Sequence, residues 1–135
     1  MPQEEQKSKI IEFQILNQQV QGLQEQLQTI NKNIQELQIL KNSLDELNKI
    51  KSNQEILIPL GQGIFTKGNL KNPEELITNI GSNIFIEKDL KETKDMVKLN
   101  ILNLSSILEK TKEEINRNIE KLISLQKEIS EEDKQ

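Results

Sequence analysis

The chain of 135 residues lacks cysteine, histidine, tryptophan and tyrosine, and it has only three phenylalanines. Without cysteine it can form neither a disulfide nor a thiolate, which fits a reducing cytoplasm. Without histidine or cysteine it can build neither a common zinc site nor a Ser–His or Cys–His nucleophile system. We therefore expect a protein that is not an enzyme and that needs no metal or cofactor.

Long apolar runs and an excess of one charge are also missing. Only 33% of the residues are hydrophobic, so we expect an elongated shape or a partner rather than a thick core. The short apolar runs predict no membrane span, and the N-terminal MPQEEQKSK lacks the apolar stretch of a secretory signal. The net charge of −4, with both signs interspersed, argues against a nucleic-acid-binding surface.

The segment Glu55–Leu90 differs from the rest of the chain. It holds four of the five glycines, two of the three prolines and two of the three phenylalanines. Turn residues there separate short apolar runs, which predicts two β-hairpins with strands at 56–60, 64–70, 75–80 and 84–87.

Two of these predicted strands are apolar on both faces, namely Ile56-Leu57-Ile58 and Ile84-Phe85-Ile86. A strand of that kind must be covered on both sides, and short hairpins also leave open edges that pair with other chains. We infer that the segment is an assembly module.

The residues before this segment predict a coiled-coil helix. Apolar residues alternate at spacings of three and four, as they do along a coiled-coil seam, at Phe13, Leu16, Val20, Leu23, Leu27, Ile30, Ile34 and Leu37. Two successive steps of three, from Ile34 to Leu37 and on to Leu40, predict a stammer, which is a local overwinding.

The residues after the segment predict a second helix with Asp89 as its N-cap. The same spacing runs along Leu90, Lys94, Val97, Ile101, Leu104, Leu108, Thr111, Ile115, Asn118, Leu122, Leu125 and Ile129. Lys94, Thr111 and Asn118 are polar exceptions, and polar seam residues fix register at a cost in stability.

The two helical arms have nearly equal lengths, roughly 60 Å at 1.5 Å per residue. We expect one mainly α domain, an antiparallel two-helix coiled-coil hairpin with the two β-hairpins inserted between its helices. The first helix would cover residues 10–52, the hairpins 55–88 and the second helix 89–131. Both chain ends would then meet at the far tip.

Motifs within the hairpins resemble those of α-class subunits of the prefoldin family. They are Ile58-Pro59-Leu60, Phe65-Thr66-Lys67-Gly68-Asn69-Leu70 and the run from Gly81 to Phe85-Ile86-Glu87-Lys88. Two hairpins rather than one indicate the α class and not the β class. Asn83 departs from the family, which often has glycine there, but asparagine tolerates positive φ.

The resemblance implies a heterohexamer of two α and four β subunits, with a joined β-barrel platform and six coiled-coil tentacles. It also implies an ATP-independent holdase that passes unfolded chains to a cytosolic group II chaperonin. By position, the platform residues would be Ile56, Ile58, Ile64, Phe65, Ile77, Ile84, Phe85 and Ile86, which we call the hairpin set. The client-binding residues, which we call the tip set, would be Ile10, Ile11, Phe13, Ile15, Leu16, Leu122, Ile123, Leu125 and Ile129.

Two alternatives stay open at this point. Tip residues on the seam, such as Leu16 and Leu125, could simply close the coiled coil, whereas Ile11, Ile15 and Ile123 lie off the seam and favour client binding. The chain could also be a structural coiled-coil scaffold or tether that oligomerises through its β segment. A nucleotide-exchange co-chaperone is disfavoured by the second arm.

Overall fold

The computed structural model describes residues 2–133 and contains two long helices with two antiparallel hairpins between them, which confirms the predicted fold class. The chain divides into two compact units, Met1–Gln35 with Asn103–Gln135, and Glu36–Leu102. The elements are α1 (Pro2–Leu47), β1 (Gln54–Gly61), β2 (Ile64–Leu70), β3 (Glu75–Asn79), β4 (Phe85–Asp89) and α2 (Leu90–Asp133).

Helix α1 begins and ends earlier than the sequence predicts. Beyond Leu47 the chain tightens into i→i−3 bonds, in which Lys49 N donates to Glu46 O at 3.0 Å and Ile50 N to Leu47 O at 3.1 Å. Such bonds satisfy carbonyls left open at a helix end. Asn53 then adopts a φ of 63°, which turns the chain into β1.

In the first unit the two helices pack antiparallel. Lys9 Nζ lies 3.7 Å from Glu128 Oε2, which pairs the start of α1 with the end of α2. Thr111, a predicted polar exception, is buried, and its Oγ1 donates to Ile107 O at 2.8 Å within α2. The buried apolar residues are Val20, Ile34, Ile115 and Leu125, all on the predicted seams.

In the second unit the core is a cluster of Leu44, Leu90 and Val97, each 3% exposed. Leu76 of β3 packs against this cluster, and Leu90 N donates to Glu74 O at 2.8 Å. The second hairpin is therefore attached to the helices by both apolar packing and a backbone hydrogen bond.

The predicted stammer at Leu40 is wrong. Leu40 is 42% exposed, whereas Lys41 is half-buried and Leu44 is buried. The alternation of three and four therefore continues from Leu37 through Lys41, whose methylene stem can lie along the seam while its ammonium reaches water. The prediction is wrong here because it considers only apolar residues and so places the nearest leucine on the seam.

Hairpin geometry explains two of the motif residues. A Cβ on Gly68 would lie 2.8 Å from Ile58 Cδ1, so glycine leaves room for that side chain. Ser82 and Asn83 have φ values of 50° and 58° in the β3–β4 turn. Two successive residues with positive φ form a type I′ turn, where asparagine substitutes well for glycine.

Strand β4 passes directly into α2. Asp89 is the last strand residue, and its Oδ1 accepts a hydrogen bond of 3.4 Å from Lys91 N. This is the N-cap interaction predicted from the sequence.

Candidate functional site

The first hairpin exposes apolar side chains on both faces. Directly opposed residues share a face, so Leu57 and Phe65 lie on one face while Ile56 and Ile58 lie on the other. Leu57 is 62% exposed and Phe65 56%, and of these four residues only Ile56 is half-buried. Within the described chain this surface is uncovered, although it is too apolar to favour contact with water.

The second hairpin has one covered face. Leu76 faces the core cluster, and the opposite face carries Ile77 and Phe85, which are 73% and 60% exposed. Of the eight residues in the hairpin set, seven are exposed: Ile58, Ile64, Phe65, Ile77, Ile84, Phe85 and Ile86. Such surface needs a partner if it is to be buried.

The tip set separates into two groups by burial. The exposed residues are Ile10, Ile11, Ile15 and Ile123, and the exposed fractions of the last three are between 52% and 57%. The seam residues face the opposite helix: Phe13, Leu16, Leu122 and Ile129 are half-buried, and Leu125 is buried. The seam members close the coiled coil in this structure, whereas the off-seam members are accessible.

An open groove brings several tip residues together within the first unit. It is lined by Ile11, Ile15 and Leu16 of α1 and by Lys121 of α2, with Ser8, Glu12 and Gln19 completing it. The apolar side chains that line the groove could contact an apolar side chain of a bound peptide, with polar side chains around the contact.

Sequence reasoning missed further exposed apolar residues outside both sets. On the helices they are Ile39, Leu40, Met96, Leu99, Leu102 and Ile107, and the most exposed of these are Ile39 at 66% and Leu102 at 67%. Except for Leu40, all lie off the predicted seams, so the criterion that singled out Ile11 and Ile15 would also have found them.

Across residues 2–133, no group of three or more His, Cys, Asp or Glu side chains could hold a metal ion. Neither described helix is long and apolar enough to cross a bilayer.

Sequence comparison identifies relatives of this chain. A family model described as "Prefoldin subunit" matches residues 16–135. Prefoldin subunit alpha of Methanococcus maripaludis is 44% identical over 62 residues, covering 46% of this chain and 41% of the relative. Prefoldin subunit alpha of Thermococcus onnurineus is 40% identical over 58 residues, covering 42% and 40%. The chain thus spans less than half the length of these curated relatives.

The fold has a counterpart among solved structures. It matches a cryo-EM structure of filamentous PFD from Methanocaldococcus jannaschii with a TM-score of 0.66 and 21% identity, covering 83% of this chain and 95% of the other. At 21% identity, this similarity is evidence for a shared fold alone. The family match, however, extends over most of the sequence, including both hairpins and all of α2. The chain therefore belongs to the prefoldin family.

Proposed function

We propose that the chain is an α-class prefoldin subunit that assembles through its hairpins. The observation that carries this proposal is the exposure of apolar side chains on both faces of the β1–β2 hairpin and on the outer face of β3–β4. Joining strands from several subunits into a β-barrel would cover those faces and pair the strand edges. The expected complex contains two α and four β subunits.

The proposed activity is that of an ATP-independent holdase in the cytoplasm. Ile11, Ile15 and Ile123 offer accessible apolar surface, and burial of such surface releases roughly 25 cal/mol per Å². Each contact is modest, so a client would be held by many weak contacts rather than by one pocket. Weak contacts also allow release to a group II chaperonin without a chemical step.

Native mass spectrometry of the chain with a β-class subunit tests the assembly part. We expect one complex with the mass of two copies of this chain and four of the partner. An open-ended series of masses would instead indicate a filament, the state named for the M. jannaschii structure. A monomeric chain would contradict the proposal.

A truncation tests the client-binding part. Removal of residues 1–16 and 122–135 should spare the complex but abolish its suppression of client aggregation. Unchanged suppression would refute the assignment to the tip set. Native pull-down adds a check, because a chaperone should recover chaperonin and unfolded clients, whereas a tether should recover defined partners.

A further inference from the structure

A second open groove lies between the two helices of the first unit, closer to the middle of α1 than the groove at the tip. Gly22, Thr29 and Ile30 of α1 line it together with Ile107 and Thr111 of α2. We call it the mid-arm groove, and we call the groove described above, which Ile11, Ile15 and Lys121 line, the tip groove. The mid-arm groove shares no residue with the tip set or with the hairpin set.

The walls of the mid-arm groove need no polar partner from a ligand. Thr29 Oγ1 donates to Glu25 O at 3.2 Å, and Thr111 Oγ1 donates to Ile107 O at 2.8 Å. Both hydroxyl donors are therefore satisfied within their own helices. Ile107 is 48% exposed, and a Cβ on Gly22 would meet nothing within 4 Å outside its own stretch of helix. The groove thus offers an apolar contact beside open space.

Heptad spacing places the two grooves on the same flank of the seam. On α1, Ile15, Gly22 and Thr29 each precede a seam residue and are one heptad apart. On α2, Ile107 and Lys121 also precede seam residues and are two heptads apart. Residues at one heptad position lie on one side of a coiled-coil helix. Because each groove includes a member of both rows, both grooves open on the same side of the helix pair.

The opposite flank of α1 has a different chemistry. Every seam residue from Phe13 to Leu37 is followed by a glutamine or an asparagine, and all of these amide side chains are exposed. Covering an amide with an apolar group costs free energy unless the amide keeps a hydrogen-bond partner. On α1, the flank that carries the grooves is therefore the better one for apolar side chains.

We propose that the mid-arm groove is a second client-binding site, which takes an apolar side chain of the same extended polypeptide that occupies the tip groove. This inference rests on the proposed function and adds the spacing that a client needs. Ile15 and Thr29 are two heptads apart, roughly 21 Å at 1.5 Å per residue. An extended chain rises about 3.3 Å per residue, so about six residues span this distance, and an even number keeps both side chains on one face.

A helix of a second copy fits the two grooves less well than an extended chain. A helix that docks in a groove needs apolar anchors along successive turns. Between the grooves, however, the α2 row carries the exposed carboxylate of Glu114, and the α1 row carries Gly22, which has no side chain to pack. An extended client can cross this interruption with polar residues of its own.

Photo-cross-linking tests the proposed contact directly. The photoreactive amino acid p-benzoylphenylalanine replaces Gly22 in one variant and Gln24, on the other flank of the same seam residue, in the matched control. Each variant is assembled with a β-class subunit and mixed with reduced, carboxymethylated lysozyme, which stays unfolded. We expect a cross-link to the lysozyme from position 22 and none from position 24. Any other pattern would overturn the inference.

The same replacement at Ile15 distinguishes failure of this inference from failure of the proposed function. A cross-link from position 15 without one from position 22 would remove the mid-arm site and leave client binding at the tip intact. If neither position gave a cross-link, the assignment of client binding to the tip would fail as well.

Two substitutions of Gly22 separate binding from stability. Alanine and lysine both favour a helix more than glycine does, so Gly22→Ala and Gly22→Lys should each raise the melting temperature. The alanine methyl leaves the groove open, whereas a lysine side chain fills it and brings a charge. We expect the Gly22→Ala complex to bind the carboxymethylated lysozyme as tightly as the unmodified complex, and the Gly22→Lys complex to bind it several-fold more weakly. Equal affinities of the two variants would overturn the inference.

Peptides test the predicted spacing. Two fluorescent peptides of serine and glycine each carry two leucines, at the predicted spacing in one and at half that spacing in the other. Fluorescence anisotropy should show several-fold tighter binding of the first peptide to the unmodified complex, and Gly22→Lys should remove this difference. Equal binding of both peptides to the unmodified complex would contradict a client that bridges the two grooves.

Discussion

Lys94 Nζ lies 3.1 Å from Asp45 Oδ1, which joins α2 to α1 at a seam position where an apolar residue would be usual. The Lys94 side chain is only 13% exposed, whereas that of Asp45 is 49% exposed. A hydrogen bond from Lys94 is the main cause that lowers the pKa of Asp45; desolvation opposes it, and attraction by Lys94 and other nearby ammonium groups lowers the pKa further. The pair favours this register, because a shift would leave the partly buried ammonium without its carboxylate.

The ion pair predicts a specific pH dependence. Because the folded-state pKa of Asp45 is lowered, the pair stabilises the fold above the ordinary aspartate pKa, and this contribution disappears as the pH falls through the lowered value. Asp45→Asn should therefore lower the melting temperature at neutral pH by an amount that shrinks in acid. Circular dichroism melts at several pH values measure this difference. Asp95→Asn, which removes an exposed carboxylate on α2, controls for the change in net charge. A melting-temperature difference between Asp45→Asn and the unmodified protein that stays the same at every pH would contradict the account.

The corrected seam predicts unequal effects of truncating two neighbouring leucines. Leu44 is 3% exposed in the core cluster and Leu40 is 42% exposed. Leu44→Ala should lower the free energy of unfolding by about 2–5 kcal/mol, through lost burial and an unfilled cavity. Leu40→Ala should lower it by no more than about 1 kcal/mol. Urea unfolding followed by circular dichroism compares the two variants. Equal losses in the free energy of unfolding would show that Leu40 does lie on the seam.

The β3–β4 turn predicts a difference between alanine and glycine at one position. Asn83 has a φ of 58°, a conformation that costs most L-residues roughly 1–2 kcal/mol. Asn83→Ala should destabilise the fold by about 1 kcal/mol, whereas Asn83→Gly should be neutral or stabilising. The free energies of unfolding of the two variants measure this directly. If the alanine and glycine variants had equal free energies of unfolding, the positive φ would not explain the preference for asparagine at this position.

Much of the fold could be predicted because its signals are local. The seam of α2 follows from spacing alone, and every position from Leu90 to Ile129 on it is buried or half-buried. Asp89 and Asn83 were interpreted correctly because capping and positive φ depend on one or two residues. Strand β2 has the predicted bounds for the same reason, since glycine residues mark its start.

The sequence predictions are wrong or incomplete where packing between elements outweighs the local pattern of apolar residues. Lys41 occupies a seam position that periodicity assigned to Leu40, because a lysine stem can be buried while its charge remains hydrated. The sequence also could not indicate that one hairpin face packs on Leu44, Leu90 and Val97, since that contact depends on how the hairpin sits against the helices. Which tip residues hold clients stays a prediction, because exposure makes binding feasible without identifying a ligand.

The most direct test of the central claim measures suppression of client aggregation by the assembled complex. The variant combines Ile11→Ser, Ile15→Ser and Ile123→Ser. The matched control combines Ile39→Ser, Leu99→Ser and Leu102→Ser, which are at least as exposed and lie outside the tip set. We predict that both variants form complexes of unchanged mass, that the tip variant loses suppression, and that the control retains it. Full suppression by the tip variant, in a complex of normal mass, would contradict the account.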